Sequence, residues 1–282
     1  MSEHYYGVAQ AGAGRLGHLW WAAYGSPENR PVVLLHGLAD SGACWPGTVE
    51  HLAERYLVIV PDARGHGDSQ LLPGPFRIRD LADDVATIVR KVAQRPAALV
   101  GHSMGGVVAQ DFALRAPALV SALVLEDPAW TAMSDGEGRL PADLTGWLRD
   151  LDAAPFVQLL SQVRDENPGW ADDEMAPWAH AKKAVDPQLV EPPHVWRERD
   201  WVESLADLAP DGEFRTTVLA GDPGRGSVVT MADGARAAQL LGDAGHVHRL
   251  DAGHSVRRDQ REAFLAILDQ ALAEIKDPPI PT

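Results

Sequence analysis

The sequence predicts an α/β fold, a mostly parallel sheet covered by helices on both faces and interrupted by a helical insertion. Three observations predict it. Short apolar runs alternate with longer stretches of helical periodicity, the mark of a covered parallel sheet. A glycine-flanked serine stands between one such run and one such stretch. The segment 129–211 drops the runs altogether and gathers six of the nine tryptophans.

The elements follow in chain order. Strands are expected at His18–Tyr24, Val32–His36, Leu57–Pro61, Ala97–Gly101, Ala122–Glu126, Thr216–Ala220 and His246–Leu250. Each is short and bounded by Gly, Pro or Asp, as buried parallel strands are. Ile78, Leu81, Val85, Ile88, Val89 and Val92 repeat at helical spacing, and so do Phe264, Leu265, Ile267, Leu268, Leu272 and Ile275. Within 129–211, helical patterns at Leu144–Leu151 and Phe156–Val163 are separated by Pro and Gly, and no strand is expected. The chain therefore divides into a first core part (1–128), a helical cap (129–211) and a second core part (212–282). Trp130, Trp147, Trp170, Trp178, Trp196 and Trp201 are read mainly as packing between cap and core, a few of them roofing an apolar pocket. The Pro-rich end (Pro278, Pro279, Pro281) reads as a frayed tail.

Composition bounds the function. A hydrophobic fraction of 45% with 23% charged residues is that of a globular protein. The net charge of −15 argues against nucleic acid and anionic membranes, which attract basic surfaces. No apolar run approaches the ~20 residues that span a bilayer. Neither is there a signal peptide in residues 1–14, so the expected location is the cytoplasm. The single cysteine, Cys44, excludes an intrachain disulfide and reads as a packed thiol. No feature bears on oligomeric state.

Chemistry concentrates in three motifs. In Ala97-Ala98-Leu99-Val100-Gly101-His102-Ser103-Met104-Gly105-Gly106 a buried strand meets a helix (Val107–Leu114) through G-x-S-x-G. Such a turn exposes the serine hydroxyl, and side chains two positions away on either side would collide with neighbouring backbone. Ser103 is the expected nucleophile. In Val32-Val33-Leu34-Leu35-His36-Gly37-Leu38 a strand ends in a loop that can turn the Leu38 amide toward Ser103. With the Met104 amide it forms an expected two-donor oxyanion hole. His36 is read as bracing that loop. In Pro61-Asp62-Ala63-Arg64-Gly65-His66-Gly67-Asp68-Ser69, the side chains of Asp62, Arg64 and His66 are read as holding the loop's shape.

In order and spacing, these three motifs resemble the α/β-hydrolase superfamily over nearly the whole chain outside the cap. The resemblance implies eight strands, a cap after the sixth, and a triad in the order Ser, acid, His. Dehalogenases and epoxide hydrolases of this fold carry Asp where this chain has Ser103, so the chemistry expected here is acyl transfer. The Gly253-His254 pair after the last strand stands where the family places its general base, making His254 the expected base. His246 and His248 alternate along the strand and read as structural. For the acid, many members use an Asp three residues after a Gly beyond the seventh strand. Here that position is Gly224, and Asp222 follows Gly221 directly. Other branches, including certain lactonases and amide hydrolases, place the acid after the sixth strand, where this chain has Glu126-Asp127-Pro128. Asp127 is favoured over Asp222, with Glu126 third.

The expected function is hydrolysis of an ester, lactone or amide of a small, partly apolar molecule through an acyl-enzyme. Two alternatives stand beside it: carbon–carbon bond hydrolysis of a diketone-like substrate, and a non-catalytic ligand-binding protein on the same fold. No metal is expected, because neither H-E-x-x-H nor Cys/His ligand spacing occurs. No dinucleotide or other cofactor is expected, because no G-x-G-x-x-G follows the first strand. Over 129–210 there are sixteen acidic against seven basic side chains, which disfavours polyanionic substrates.

Overall fold

The computed structural model describes residues 7–131, 137–196, 198–208 and 214–275. The proline tail and the expected cap boundary at 211 lie outside the described residues. The strands are β1 (Gln10–Leu16), β2 (Leu19–Tyr24), β3 (Arg30–Leu35), β4 (Tyr56–Pro61), β5 (Phe76–Arg77), β6 (Ala97–His102), β7 (Val120–Glu126), β8 (His194–Val195), β9 (Thr216–Ala220) and β10 (Gly245–Arg249). The helices are α1 (Pro46–Leu52), α2 (Ile78–Ile88), α3 (Met104–Arg115), α4 (Ala142–Ala153), α5 (Phe156–Glu166), α6 (Asp172–Lys183), α7 (Met231–Leu241), α8 (Val256–Asp259) and α9 (Arg261–Ala273).

Eight strands form one sheet in the order β1–β2–β4–β3–β6–β7–β9–β10. The two pairings at the β1 edge, β1 with β2 and β2 with β4, are antiparallel and the rest are parallel. Alternate residues of the central strands feed two apolar layers, as a period of two demands. Val33, Leu35, Leu99, Leu123 and Leu125 pack with α2, α3 and α7, whereas Val32, Leu34, Ala98, Val100 and Val124 pack with α1 and α9. With both faces covered, these strands read as continuous apolar runs, which is why they were legible in the sequence.

Three strands were not expected, β1 and the two short strands β5 and β8 that pair with each other. β1 is an edge strand whose side chains alternate between exposed and half-buried. Its small residues carry no hydrophobic period, because Trp21 of β2 lies over them. A Cβ on Gly12 would sit 3.5 Å from the Trp21 ring. Of the other two, β8 corrects the expectation that 129–211 holds no strand: His194–Val195 pairs in parallel with Phe76–Arg77. Pro192 and Pro193 precede it and force an extended backbone, and two residues are too short to show any period.

The inserted segment carries α4, α5 and α6, which enclose an apolar cluster of Leu140, Leu148, Leu151, Leu159 and Ala179 together with Ala39 of the core. Its later part joins the main core. Trp130, Trp196 and Trp201 are buried there, and the Gln110 amide of α3 bridges the Trp130 indole and the Trp201 carbonyl. By contrast, Trp147 remains exposed. Helix α6 had no visible signal because Pro177 interrupts its pattern. No helix among the described residues is long and apolar enough to cross a membrane.

Candidate active site

The parallel strands β6 and β7 lie side by side and end together, so Ser103 and Asp127, each the residue after its strand, become neighbours. The Ser103 amide donates to the Glu126 carbonyl at 2.9 Å, and the Ala129 amide donates back to the Ser103 carbonyl at 3.1 Å. Ser103 itself has φ +54°, a conformation disfavoured for a residue with a Cβ. The surrounding glycines permit it. A Cβ on Gly101 would collide with the Gly105 carbonyl, and one on Gly105 with the Leu35 carbonyl. Asp127 also has positive φ, at +39°.

His254 reaches both residues from the loop after β10. The Ser103 hydroxyl donates to His254 Nε2 at 2.9 Å, and His254 Nδ1–H donates to Asp127 Oδ2 at 2.7 Å. Ser103 is 8% exposed and the Asp127 side chain fully buried, while the imidazole is 35% exposed. Such an arrangement points a hydroxyl toward a basic nitrogen whose opposite face is held by a carboxylate. The other two acid candidates lie elsewhere. Asp222 is exposed and its carboxylate accepts from the Gly224 amide at 2.8 Å. Glu126 is buried and pairs with Arg257 at 3.0 Å.

Sequence reasoning missed the groups that hold Asp127. Ser227 Oγ donates to Asp127 Oδ1 at 2.6 Å, and the Val228 amide donates to Oδ2 at 2.9 Å. Both come from the loop after β9, where many relatives of this architecture were expected to place their acid. Here that loop supports an acid from the neighbouring strand. His102 was also missed, although it sits inside the serine motif. Its Nε2–H donates to the His254 carbonyl at 3.0 Å, and the two rings lie 4.7 Å apart.

Met104 follows Ser103 directly, and Gly37, the residue before Leu38, packs against Ser103. Met104 opens α3, so its amide has no acceptor within the helix. Gly37 packs so tightly that a Cβ there would lie 3.1 Å from the Ser103 Cβ, bringing the following Leu38 against the site. Neither amide donates to a protein acceptor among the described residues. His36 braces the loop: its Nε2 accepts from the Ala63 amide at 2.9 Å and its Nδ1–H donates to the Gly37 carbonyl at 2.8 Å. Asp62 accepts from the Gly42 and Asp68 amides, Arg64 pairs with Asp84, and His66 Nδ1–H donates to the Arg64 carbonyl. Cys44 is buried, and burial pushes its thiol up to about 11, so it is an inert packed thiol at neutral pH. No group of three or more His, Cys, Asp or Glu side chains with metal-holding geometry occurs among the described residues.

Burial lowers the pKa of five histidines, His36, His66, His102, His194 and His248, and brings His66 to about 3. A histidine with a depressed folded pKa stays neutral in the fold but charges in the unfolded chain below ~6.5. The contribution of these neutral imidazoles to stability is therefore full above that pH and declines as pH falls below it. For His66 alone the loss between pH 8 and pH 5 is about 2 kcal/mol. Urea unfolding at both pH values checks this. Equal stability at pH 8 and pH 5 would contradict a set of buried neutral imidazoles.

The family described as alpha/beta hydrolase fold matches residues 30–256. The magnesium-chelatase 30 kDa subunit of Rhodobacter capsulatus is 39% identical over 100 residues, 35% of each chain. The 3-oxoadipate enol-lactonase 2 of Acinetobacter baylyi is 26% identical over 153 residues, 54% of this chain and 56% of that one. The matched stretches thus span about a third to a half of these curated relatives. Among solved structures, a deformylase from Pseudomonas putida S16 shares the fold with TM-score 0.72 at 20% identity, over 92% of this chain and 99% of that one.

Proposed function

Since the chain belongs to the alpha/beta hydrolase fold family, we propose that it is a hydrolase that cleaves an ester, lactone or amide through an acyl-enzyme on Ser103. The observation that carries this reading is the continuous chain from Ser103 Oγ to His254 Nε2 (2.9 Å) and from His254 Nδ1 to Asp127 Oδ2 (2.7 Å). Ser103 Oγ attacks the carbonyl carbon while its proton passes to His254 Nε2. The Leu38 and Met104 amides donate to the carbonyl oxygen as it gains charge, each worth about 3–4 kcal/mol of barrier. Collapse of the adduct expels the alcohol or amine, which takes the proton from Nε2. Water then gives a proton to Nε2 and attacks the acyl carbon, and Ser103 Oγ leaves with that proton.

The substrate is a small molecule with an apolar portion. Support comes from Leu38, which packs against the apolar cluster of α4–α6 and so sets hydrocarbon beside the expected oxyanion position. The likeness to proteins named an enol-lactonase and a deformylase supports lactones and amides as members of the range. A panel of p-nitrophenyl esters, lactones, amides and β-diketones tests the reading. Turnover of the acyl compounds, with fluorophosphonate labelling on Ser103, is the expected result. Turnover confined to the diketones transfers the same residues to carbon–carbon hydrolysis. A protein that is neither labelled nor active on any panel member is a binding protein instead.

A further inference from the structure

A buried ionic cluster adjoins the site and plays no part in the mechanism above. It holds three anions, Asp40, Glu126 and Glu174, and three cations, Lys182, Arg257 and Arg258, each no more than 4% exposed. Its members come from three of the segments that build the site and from one inserted helix. Asp40 lies two residues after Leu38, Glu126 immediately precedes Asp127, and Arg257 and Arg258 follow His254 by three and four residues. Glu174 and Lys182 belong to α6 of the inserted segment.

Asp40 is where the contacts converge. Its Oδ1 accepts from Lys182 Nζ at 2.7 Å, and its Oδ2 accepts from Arg257 at 3.1 Å and from Arg258 at 3.0 Å. Burial would raise the Asp40 carboxyl, but Arg258, Lys182 and Arg257 outweigh it and hold the group well below the usual carboxylate range. Lys182 Nζ also donates to the Ala39 carbonyl at 2.8 Å. Ala39 has φ +60°, a strained conformation for alanine, in the residue that follows the Leu38 amide. On the other side, Glu126 accepts from the Arg257 amide at 2.8 Å and from its guanidinium, tying the strand that ends at Asp127 to the first turn after His254.

We infer that Asp40, with Lys182 of α6, is a positioning centre that holds the Leu38 amide loop and the His254 loop in register, so that α6 must be seated for turnover. The physical ground is the high cost of leaving a buried charge unpaired. Any displacement of α6 removes Lys182 from Asp40 and releases the strained Ala39 turn that aims the Leu38 amide. Such an error of an ångström at an oxyanion donor lowers the rate without changing how the substrate's apolar part is held. Lys182 touches no reacting atom and acts only through the loop.

The inference rests on Ser103 as nucleophile, and the test separates the two. Fluorophosphonate labelling at Ser103 requires both the oxyanion donors and His254, and it requires no knowledge of the natural substrate. In Lys182→Met, labelling is expected to slow at least about thirtyfold, with KM for a p-nitrophenyl ester within threefold of wild type. Lys182→Gln keeps a donor for the Ala39 carbonyl and is expected to slow about tenfold, and it carries the test should the methionine variant not fold. Arg261→Gln is the control. It removes another α6 anchor, the pair with Asp173 and Glu174, without touching Asp40, and labelling is expected within threefold of wild type. Folded Lys182 variants that label as fast as wild type overturn the positioning role. Wild-type enzyme that does not label at Ser103 overturns the nucleophile assignment, and the inference with it.

Discussion

Replacing Ser103 by alanine is expected to lower hydrolysis at least about 10⁴-fold and to abolish fluorophosphonate labelling, with the fold intact. The substitution removes one oxygen and keeps the Cβ, so the strained turn at φ +54° and its backbone contacts to Glu126 and Ala129 persist. What disappears is the hydroxyl that donates to His254 Nε2. In a serine protease, loss of the nucleophile costs about 10⁶-fold, and the residue of catalysis comes from the oxyanion donors and binding. Steady-state rates on the best panel substrate, with circular dichroism to verify folding, measure the effect. Activity within tenfold of wild type, in protein free of other esterases, would be incompatible with acyl transfer through Ser103.

Asp127→Asn is the second large effect, expected near 10⁴-fold in turnover by analogy with the corresponding change in a serine protease. Asp127 accepts three hydrogen bonds, from Ser227 Oγ, the Val228 amide and His254 Nδ1–H. Asparagine has a single oxygen and cannot accept all three. Its NH₂ group facing the imidazole would demand an unprotonated Nδ1 and leave the proton on Nε2, where the Ser103 hydroxyl must be accepted. Asp222→Asn is expected to be mild, within about threefold, because that carboxylate only caps the Gly224 amide. Paired kinetics of the two variants decide the matter. A silent Asp127→Asn beside a crippled Asp222→Asn would transfer the acid to the loop after β9.

Ser227 shows why part of the site was not legible. Nothing local marks it, for it is a serine in a polar loop 100 residues from the carboxylate it donates to. The buried cluster around Asp40 was hidden for the same reason. Its charges look like an ordinary solvated surface in sequence, and only the approach of α6 to the His254 loop buries them. Lys182 was one of seven basic side chains weighed against sixteen acidic ones, and Glu126 was weighed as a catalytic acid when its partner is Arg257. The short pairing of β5 with β8 was invisible too, because two residues have no period.

By itself the sequence determined the covered parallel sheet, the serine turn, the loop before Leu38 and the Gly253-His254 pair. Each is set by a local requirement, apolar residues where both faces are buried or glycine where a Cβ cannot fit, and a local requirement leaves a local trace. Tertiary structure decided which carboxylate meets His254, what holds that carboxylate, and how the inserted helices are tied to the site. Asp127 and Asp222 both end a parallel strand beside a turn, and each is an unremarkable acidic residue in its own stretch of chain. Their difference is the direction in which each strand end delivers its side chain, and that is set by sheet order and by the packing of loops from opposite ends of the sequence.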